Sequence, residues 1–171
     1  MAKGMAEAAV RSGKTAFLHI KIDTGMGRIG FKVSKESVET ISRISKLPNI
    51  KMEGMFTHFA KADEFDKSYT FAQHEKFLWM KEQLETNGVQ ISYYDCDNSA
   101  GIIDFPDMKH DLARAGISIY GMYPSDEVDK SAVALKPALQ LKSHVAMVKT
   151  VPAGEKIGYG GTFETKRETV L

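Results

Sequence analysis

Three apolar runs rich in β-branched and aromatic residues begin near residues 15, 50 and 91, and each is followed by a segment of helical character. Residues 15–22 read as a strand by that composition. A glycine-rich turn, Asp23 to Gly30, follows it. Ser34 then caps a helix on which Val38, Ile41, Ile44 and Leu47 share one face, and Pro48-Asn49 breaks it. The pattern repeats. Residues 50–58 form a second strand, and residues 67–86 a second helix with Phe71, His74, Phe77, Leu78 and Leu84 on one side. Residues 91–95 form a third strand, with a short helix or turn up to Pro106, and residues 111–114 a brief fourth. A short helix over residues 5–11, ended by Gly13, precedes them all. Alternating strands and helices imply an α/β fold with a parallel sheet. The sheet is either open and doubly wound or part of a (β/α)8 barrel; a closed barrel takes about 250 residues.

Residues 124–136 change character, with Pro124-Ser125-Asp126-Glu127 and Lys136-Pro137 framing a linker. Residues 138–151 alternate in the manner of a strand, and Pro152 to Glu155 turn the chain. Gly158, Gly160 and Gly161 then surround Tyr159 with no helix signal, which reads as the beginning of a β domain. The chain stops at Thr169-Val170-Leu171, which reads as the start of a strand, so an internal piece of a longer protein is expected.

Charge and cysteine usage exclude several classes. The 23 basic and 22 acidic residues leave a net charge of +1 with no basic run, so neither a nucleic acid nor a membrane surface is an expected partner. Cys96 is the only cysteine, which rules out an intramolecular disulfide and suits a reducing compartment, the cytoplasm. No apolar stretch reaches the roughly 18 residues of a spanning helix, and the first residues carry no signal-peptide core.

Polar residues gather after each strand: Asp23 to Arg28, then Thr57 to Asp63, then Asn98-Ser99-Ala100, then Arg114 with Gly116-Ile117. In parallel α/β folds this rim holds the active site. The last two segments look like a phosphate cradle, a serine hydroxyl beside a glycine backbone. Barrels often place such a cradle after strands 7–8, which would number these strands five to eight. Each residue also has a plainer local reading. Arg28 would be a surface charge, His58 a rim histidine, Ser99 a helix cap and Arg114 a structural pair. Tyr159 would be a turn tyrosine, and Lys21 and Asp23 a local ion pair. No metal is expected, because His58 and Asp63 have no second histidine or cysteine at ligand spacing. Cys96 is a poor nucleophile, since Asp95 and Asp97 beside it raise its pKa.

Five segments taken together resemble alanine racemase: Lys21 to Gly30, Glu53 to Asp63, Asn98-Ser99-Ala100, Arg114 to Gly121 and Gly154 to Phe163. They occur in that family's order and at about its spacing. The resemblance implies a partial (β/α)8 barrel, about strands five to eight, over residues 1–128. The start of a C-terminal β domain would fill residues 129–171. It also implies pyridoxal 5'-phosphate in the barrel mouth, alanine as substrate and a head-to-tail homodimer. Position by position, Arg114 resembles the arginine at the pyridine nitrogen, and His58 the histidine that hydrogen-bonds it. Asn98, Ser99, Gly116 and Ile117 resemble cofactor-binding residues, the last three as phosphate ligands. Arg28 resembles the arginine near the cofactor's phenolic oxygen. Tyr159 resembles the catalytic tyrosine that reaches the other subunit's site. Lys21 matches a lysine that is carbamylated in some members.

Racemisation takes a proton from one face of the α-carbon and returns one to the other, so it needs two acid/base groups. A tyrosine near pKa 10 is a poor base alone, and a nearby Arg28 favours its phenolate. An arginine at the pyridine nitrogen keeps that nitrogen unprotonated and limits transamination. The family's Schiff-base lysine, in a Lys-Ala-Asn-Ala-Tyr-Gly-like motif, does not occur among these residues, nor does the substrate-side tyrosine with its Met-Asp segment. These residues alone are therefore expected to be inactive, and a half barrel would self-associate through its open edges or depend on a complement. The alternatives are a serine or broad-specificity racemase and a non-catalytic module that binds the cofactor or a partner. Retention of Arg28 and Tyr159 argues against such a module. A decarboxylase or cofactor-carrier protein of the same barrel type is disfavoured by the Asp23 to Arg28 and Tyr159 to Thr162 segments.

Overall fold

Strand and helix alternate through the first two-thirds of the computed structural model, which describes residues 1–171. Helix α1 (Ala2–Ser12) stops at Gly13, whose left-handed φ of 63° lets its N–H reach back to the last turn. Strand β1 (Ala16–Asp23) leads through the glycine-rich turn to β2 (Phe31–Lys32) and α2 (Lys35–Ser45). Then come β3 (Ile50–Phe56), α3 (Ser68–Thr86), β4 (Tyr93–Asp97), α4 (Ser99–Asp104) and β5 (Leu112–Ala113). The five strands form one parallel sheet in the order β2-β1-β3-β4-β5. β1, β3, β4 and β5 follow one another across the sheet in chain order, and the two-residue β2 lies on the other side of β1. β2 is a two-residue edge strand that the sequence reading did not expect.

One face of the sheet carries the core. Ile20 and Ile22 of β1, Met52 and Met55 of β3, and Tyr94 and Cys96 of β4 are buried in one cluster with side chains of α2, α3 and α4. Each fully buried side chain of this kind contributes roughly 1.5–3 kcal/mol. The helix over residues 34–47 forms as expected. The Ser34 hydroxyl accepts the N–H of Ser37 at 3.2 Å, and Val38 and Ile41 are buried. The expected face of α3 needs correction. Phe77 and Leu84 are buried, but Phe71 and Leu78 are exposed. The inward stripe is Thr70, Gln73, Phe77, Met80 and Leu84, spaced for a helix but polar in its first turn, so hydrophobicity alone could not trace it. No helix is long and apolar enough to cross a membrane.

The chain divides into two compact units, Met1–Ala138 and Leu139–Leu171. In the second unit β6 (Thr150–Val151) pairs antiparallel with β9 (Thr169–Val170), and β7 (Lys156–Ile157) with β8 (Phe163–Glu164). Buried Thr165 ties this unit together: its hydroxyl donates to Pro152 O at 2.7 Å and accepts from Glu155 N at 2.9 Å. The strand expected over residues 138–151 forms only at its end. Leu139, Leu141, Val145 and Met147 stand exposed, because no second strand lies beside them to complete a ladder.

Candidate active site

The site is assembled from the segments that follow β1, β3, β4 and β5. After β1, Asp23 Oδ1 accepts the N–H groups of Gly27 at 2.9 Å and Gly25 at 3.2 Å, and so shapes the turn. The Gly27 N–H leads the contacts that hold this carboxyl below its usual range. Gly25 and Gly30 have φ of 151° and 118°. A Cβ would lie 2.7 Å from the Tyr69 hydroxyl at the first and 2.8 Å from Lys21 Cγ at the second, so both must be glycine for these side chains to approach. Lys21 is buried and does not pair with Asp23. Its ammonium donates to Ile22 O at 2.9 Å. Burial lowers its pKa, Arg28 and Arg114 add to this, and Asp23 opposes it. Arg28 is exposed on the same turn and makes no hydrogen bond or ion pair.

After β3, the Thr57 hydroxyl donates to Ile22 O at 2.9 Å and meets that of Thr24 at 2.7 Å, joining the ends of β1 and β3. Gln73, buried on α3, locks this junction. Its amide donates to Thr24 Oγ1 at 3.1 Å and His58 O at 3.2 Å, and its carbonyl oxygen accepts Ala60 N at 2.9 Å. His58 therefore sits on a segment with little freedom. Its pKa is lowered first by burial, then by Arg114, Arg28 and Lys21. A neutral His58 can accept at Nδ1, which lies 3.4 Å from Arg114 Nη2.

Arg114 is the hub. Nη2 donates to Thr57 O at 2.7 Å, the guanidinium lies 5.3 Å from the centre of the Phe56 ring, and Nη1 forms an ion pair with Asp95. That contact lacks hydrogen-bond geometry, so Nη1 and Asp95 Oδ1 are buried without a hydrogen-bond partner. Burial raises the Asp95 pKa and Arg114 opposes it. The structural-pair reading of Arg114 is thus realised, within reach of the expected histidine.

After β4, Asn98 caps α4 by accepting Gly101 N at 3.0 Å, and its amide donates to Phe59 O at 3.3 Å. Asn98, not Ser99, is therefore the cap. The Ser99 hydroxyl is free to cross to the last segment, where it accepts Gly116 N at 2.9 Å and Ser118 N at 3.2 Å. The Ile117 N–H opens a one-turn 3-10 helix and has no acceptor within the chain. Six predicted cofactor residues, His58, Asn98, Ser99, Arg114, Gly116 and Ile117, line one cavity of about 280 Å³. Larger hollows along α1 and beside Phe17 have predominantly apolar walls and no such convergence. Lys21 and Arg28 do not line this cavity, but their charges reach His58. Tyr159 belongs to the second unit, where it is fully exposed in a turn shaped by Gly158, Gly160 and Gly161. Gln73 escaped the sequence reading, which named Thr57 only within the rim segment and Asp95 only as a neighbour of Cys96. Asp95 and Asp97 are two apart on a strand, a spacing that puts both carboxylates on one face and would have flagged them.

A serine hydroxyl and an unengaged backbone N–H in a cavity that Arg114 also lines suit a phosphate ester. Arg114, a permanent cation in the wall of this cavity, suits a ring nitrogen that accepts a hydrogen bond.

Residues 1–124 match the family model described as alanine racemase, N-terminal domain, and residues 138–171 match alanine racemase, C-terminal domain. The chain is 47% identical to an alanine racemase of Clostridium tetani over 171 residues, all of this chain and 44% of that one. A relative from Methanococcus maripaludis is also 47% identical, over all of this chain and 46% of its own length. Among solved structures, alanine racemase of Clostridium difficile 630 superposes with a TM-score of 0.87 at 44% identity, covering 99% of this chain and 44% of that one. Alanine racemase from Streptomyces coelicolor superposes with a TM-score of 0.87 at 31% identity, covering 99% and 45%. The chain thus spans less than half the length of these relatives.

Proposed function

The chain belongs to the alanine racemase family, and we propose that its protein is a pyridoxal-phosphate-dependent racemase that interconverts L- and D-alanine. The observation that carries this reading is the gathering of six expected cofactor residues around one cavity. The unreversed order of β1, β3, β4 and β5 supports reading them as strands five to eight of a (β/α)8 barrel. Residues 1–128 are then its C-terminal half, and residues 129–171 the start of the β domain.

Pyridoxal 5'-phosphate supplies the electron sink that makes the α-proton of an amino acid removable. The Ser99 hydroxyl and the N–H groups of Gly116 and Ile117 would hold its phosphate, with Asn98 fixing the turn beneath. Arg114 would face its ring nitrogen. A permanent cation there cannot accept a proton, and Asp95 behind it anchors the guanidinium. Neutral His58 holds the other edge of Arg114. Arg28 would stand near the cofactor's phenolic oxygen, and Tyr159 would move the proton on one face of the α-carbon. The full exposure of Tyr159 supports its acting in the other subunit's site of a homodimer. Burial favours the neutral amine of Lys21, the form that carbon dioxide converts to a carbamate. The base for the opposite face is the lysine that also bears the cofactor, and these residues do not include it. A polypeptide made of them alone is inactive. The product D-alanine would serve peptidoglycan synthesis in the cytoplasm.

The test is D-alanine formation from L-alanine by the whole protein with saturating cofactor. We expect turnover, and a loss of at least about 100-fold in Tyr159→Phe with cofactor binding retained. No D-alanine would overturn the activity. Undiminished turnover in the variant would overturn the role of Tyr159 alone.

A further inference from the structure

On β4 the side chains alternate. Asp95 faces Arg114, while Cys96 points into the helical layer and is fully buried. Two histidines meet it there. His74 comes from α3 and His110 from the connection between α4 and β5. Their Nε2 atoms are 3.0 Å apart, and the edge of His110 packs on the Phe77 ring with centroids 5.4 Å apart. One donor atom from each of His74, Cys96 and His110 lies within 4.8 Å of the other two. A helix–sheet interface is ordinarily apolar, as the neighbours Phe77 and Met80 are here. Three nitrogen and sulfur donors from three separate elements at one point call for a reason that packing does not supply.

We propose that His74, Cys96 and His110 form a binding site for a divalent cation that favours nitrogen and sulfur ligands, with Zn²⁺ as the best match. Ligands around a tetrahedral zinc stand about 3.4–3.6 Å apart, from bond lengths near 2.0 and 2.3 Å. The two Nε2 atoms need only a small widening from 3.0 Å to reach this, and the Cys96 sulfur, within 4.8 Å of a nitrogen of each ring, needs an approach of at most about 1.3 Å. Its protonation also fits. Burial lowers the pKa of both histidines, His74 and Lys81 lower that of His110 further, and Glu75 and Asp111 oppose only weakly. Both rings are therefore neutral at pH 7, the form that binds metal. Burial, then Asp97 and Asp95, push the Cys96 thiol up, so it stays protonated until a cation arrives. On binding, the proton between the two Nε2 atoms moves to the Nδ1 of its own ring through water. The Cys96 thiol releases its proton to solvent, so each cation bound frees one proton. His110 also forms part of the wall of a cavity of about 280 Å³, and a water would be the fourth ligand. The ion would pin α3 and the residue 105–111 connection to β4, the strand that delivers Asn98 and Ser99. The site is independent of any cofactor in the rim.

The sequence could not announce this cluster. His74, Cys96 and His110 are 22 and 14 residues apart and form no ligand motif. The experiment is a titration of the full chain, stripped of metal by a chelator, with Co²⁺ and then Zn²⁺. We expect one ion per chain, a thiolate-to-cobalt charge-transfer band, visible bands of a four-coordinate centre, displacement of both by Zn²⁺, and a raised thermal midpoint. Cys96→Ser should abolish the charge-transfer band. His110→Gln should weaken Zn²⁺ binding by at least about 10-fold, the smallest loss seen when even an outer partner of a metal ligand is removed. The cobalt spectrum of the unaltered protein decides the matter should either variant fold poorly. Absence of the charge-transfer band, or Zn²⁺ binding unchanged in folded Cys96→Ser, would overturn the proposal.

Discussion

Arg114 reaches a carbonyl, a histidine, a carboxylate and an aromatic ring with one guanidinium. Removing it strands Asp95, which is largely buried and has one oxygen already unpartnered. Arg114→Leu should therefore cost about 2–3 kcal/mol in a denaturant titration, the low side of what breaking a buried pair costs. Asp95→Asn in the same chain should recover part of that loss, because the stranded charge is gone. Asp97 behaves differently. It is buried with Oδ1 unpartnered, and burial, then Asp95, raise its pKa from 3.8 to about 6. Between those values the folded state holds a proton that the unfolded chain has released. Stability therefore falls as pH rises through this window and is level above it. Asp97→Asn should be more stable than the parent above pH 6 by roughly 1–3 kcal/mol, and the difference should vanish below about pH 4. A pH series of thermal unfolding measures both. The single-residue readings from sequence were uneven for a physical reason. Arg114 between two alanines signalled burial and need of a partner, but the partner lies 19 residues back on the adjacent strand.

At the scale of elements, the rim is positioned by helices as much as by strands. Gln73 of α3 serves the ends of both β1 and β3, and its loss leaves Ala60 N–H and the Thr24 hydroxyl short of partners. Gln73→Leu should destabilise the chain by about 1–3 kcal/mol and speed hydrogen exchange at residues 58–60. The cradle depends in the same way on Ser99, which orders two N–H groups of the last rim segment. Ser99→Ala should weaken pyridoxal 5'-phosphate binding about 10-fold, the equivalent of one hydrogen bond of about 1.4 kcal/mol, in an absorbance titration. Strands β1, β3 and β4, helices α2 and α3, and the Ser34 cap were legible because local composition and periodicity specify them. The inward face of α3 was not, since Thr70 and Gln73 are buried polar groups whose partners belong to other elements. The plainer reading of Ser99 as a cap falls to Asn98, because both are good capping residues and only the turn of the chain decides between them.

For the whole molecule, the stretch at the start of the second unit is the weak point. Residues 141–148 form no ladder, and Lys142 is exposed within them. Brief trypsin treatment should cut first after Lys142 and leave the preceding unit folded, with intact mass and circular dichroism as readouts. A primary cut within α2 or α3 would contradict this. The sequence by itself determined the α/β alternation, the strand-end placement of polar residues, and a set of spaced segments that resemble alanine racemase, from which the proposed roles of Arg114, His58 and Ser99 come. These are local properties, written in neighbouring residues and in their spacing. Tertiary structure alone decided that the six expected cofactor residues share a cavity, that Asp95 anchors Arg114, that Gln73 locks the rim, and that His74, Cys96 and His110 meet behind β4. Each of these is a contact between elements far apart in the chain. Such contacts depend on sheet order and register, which no local run of residues encodes.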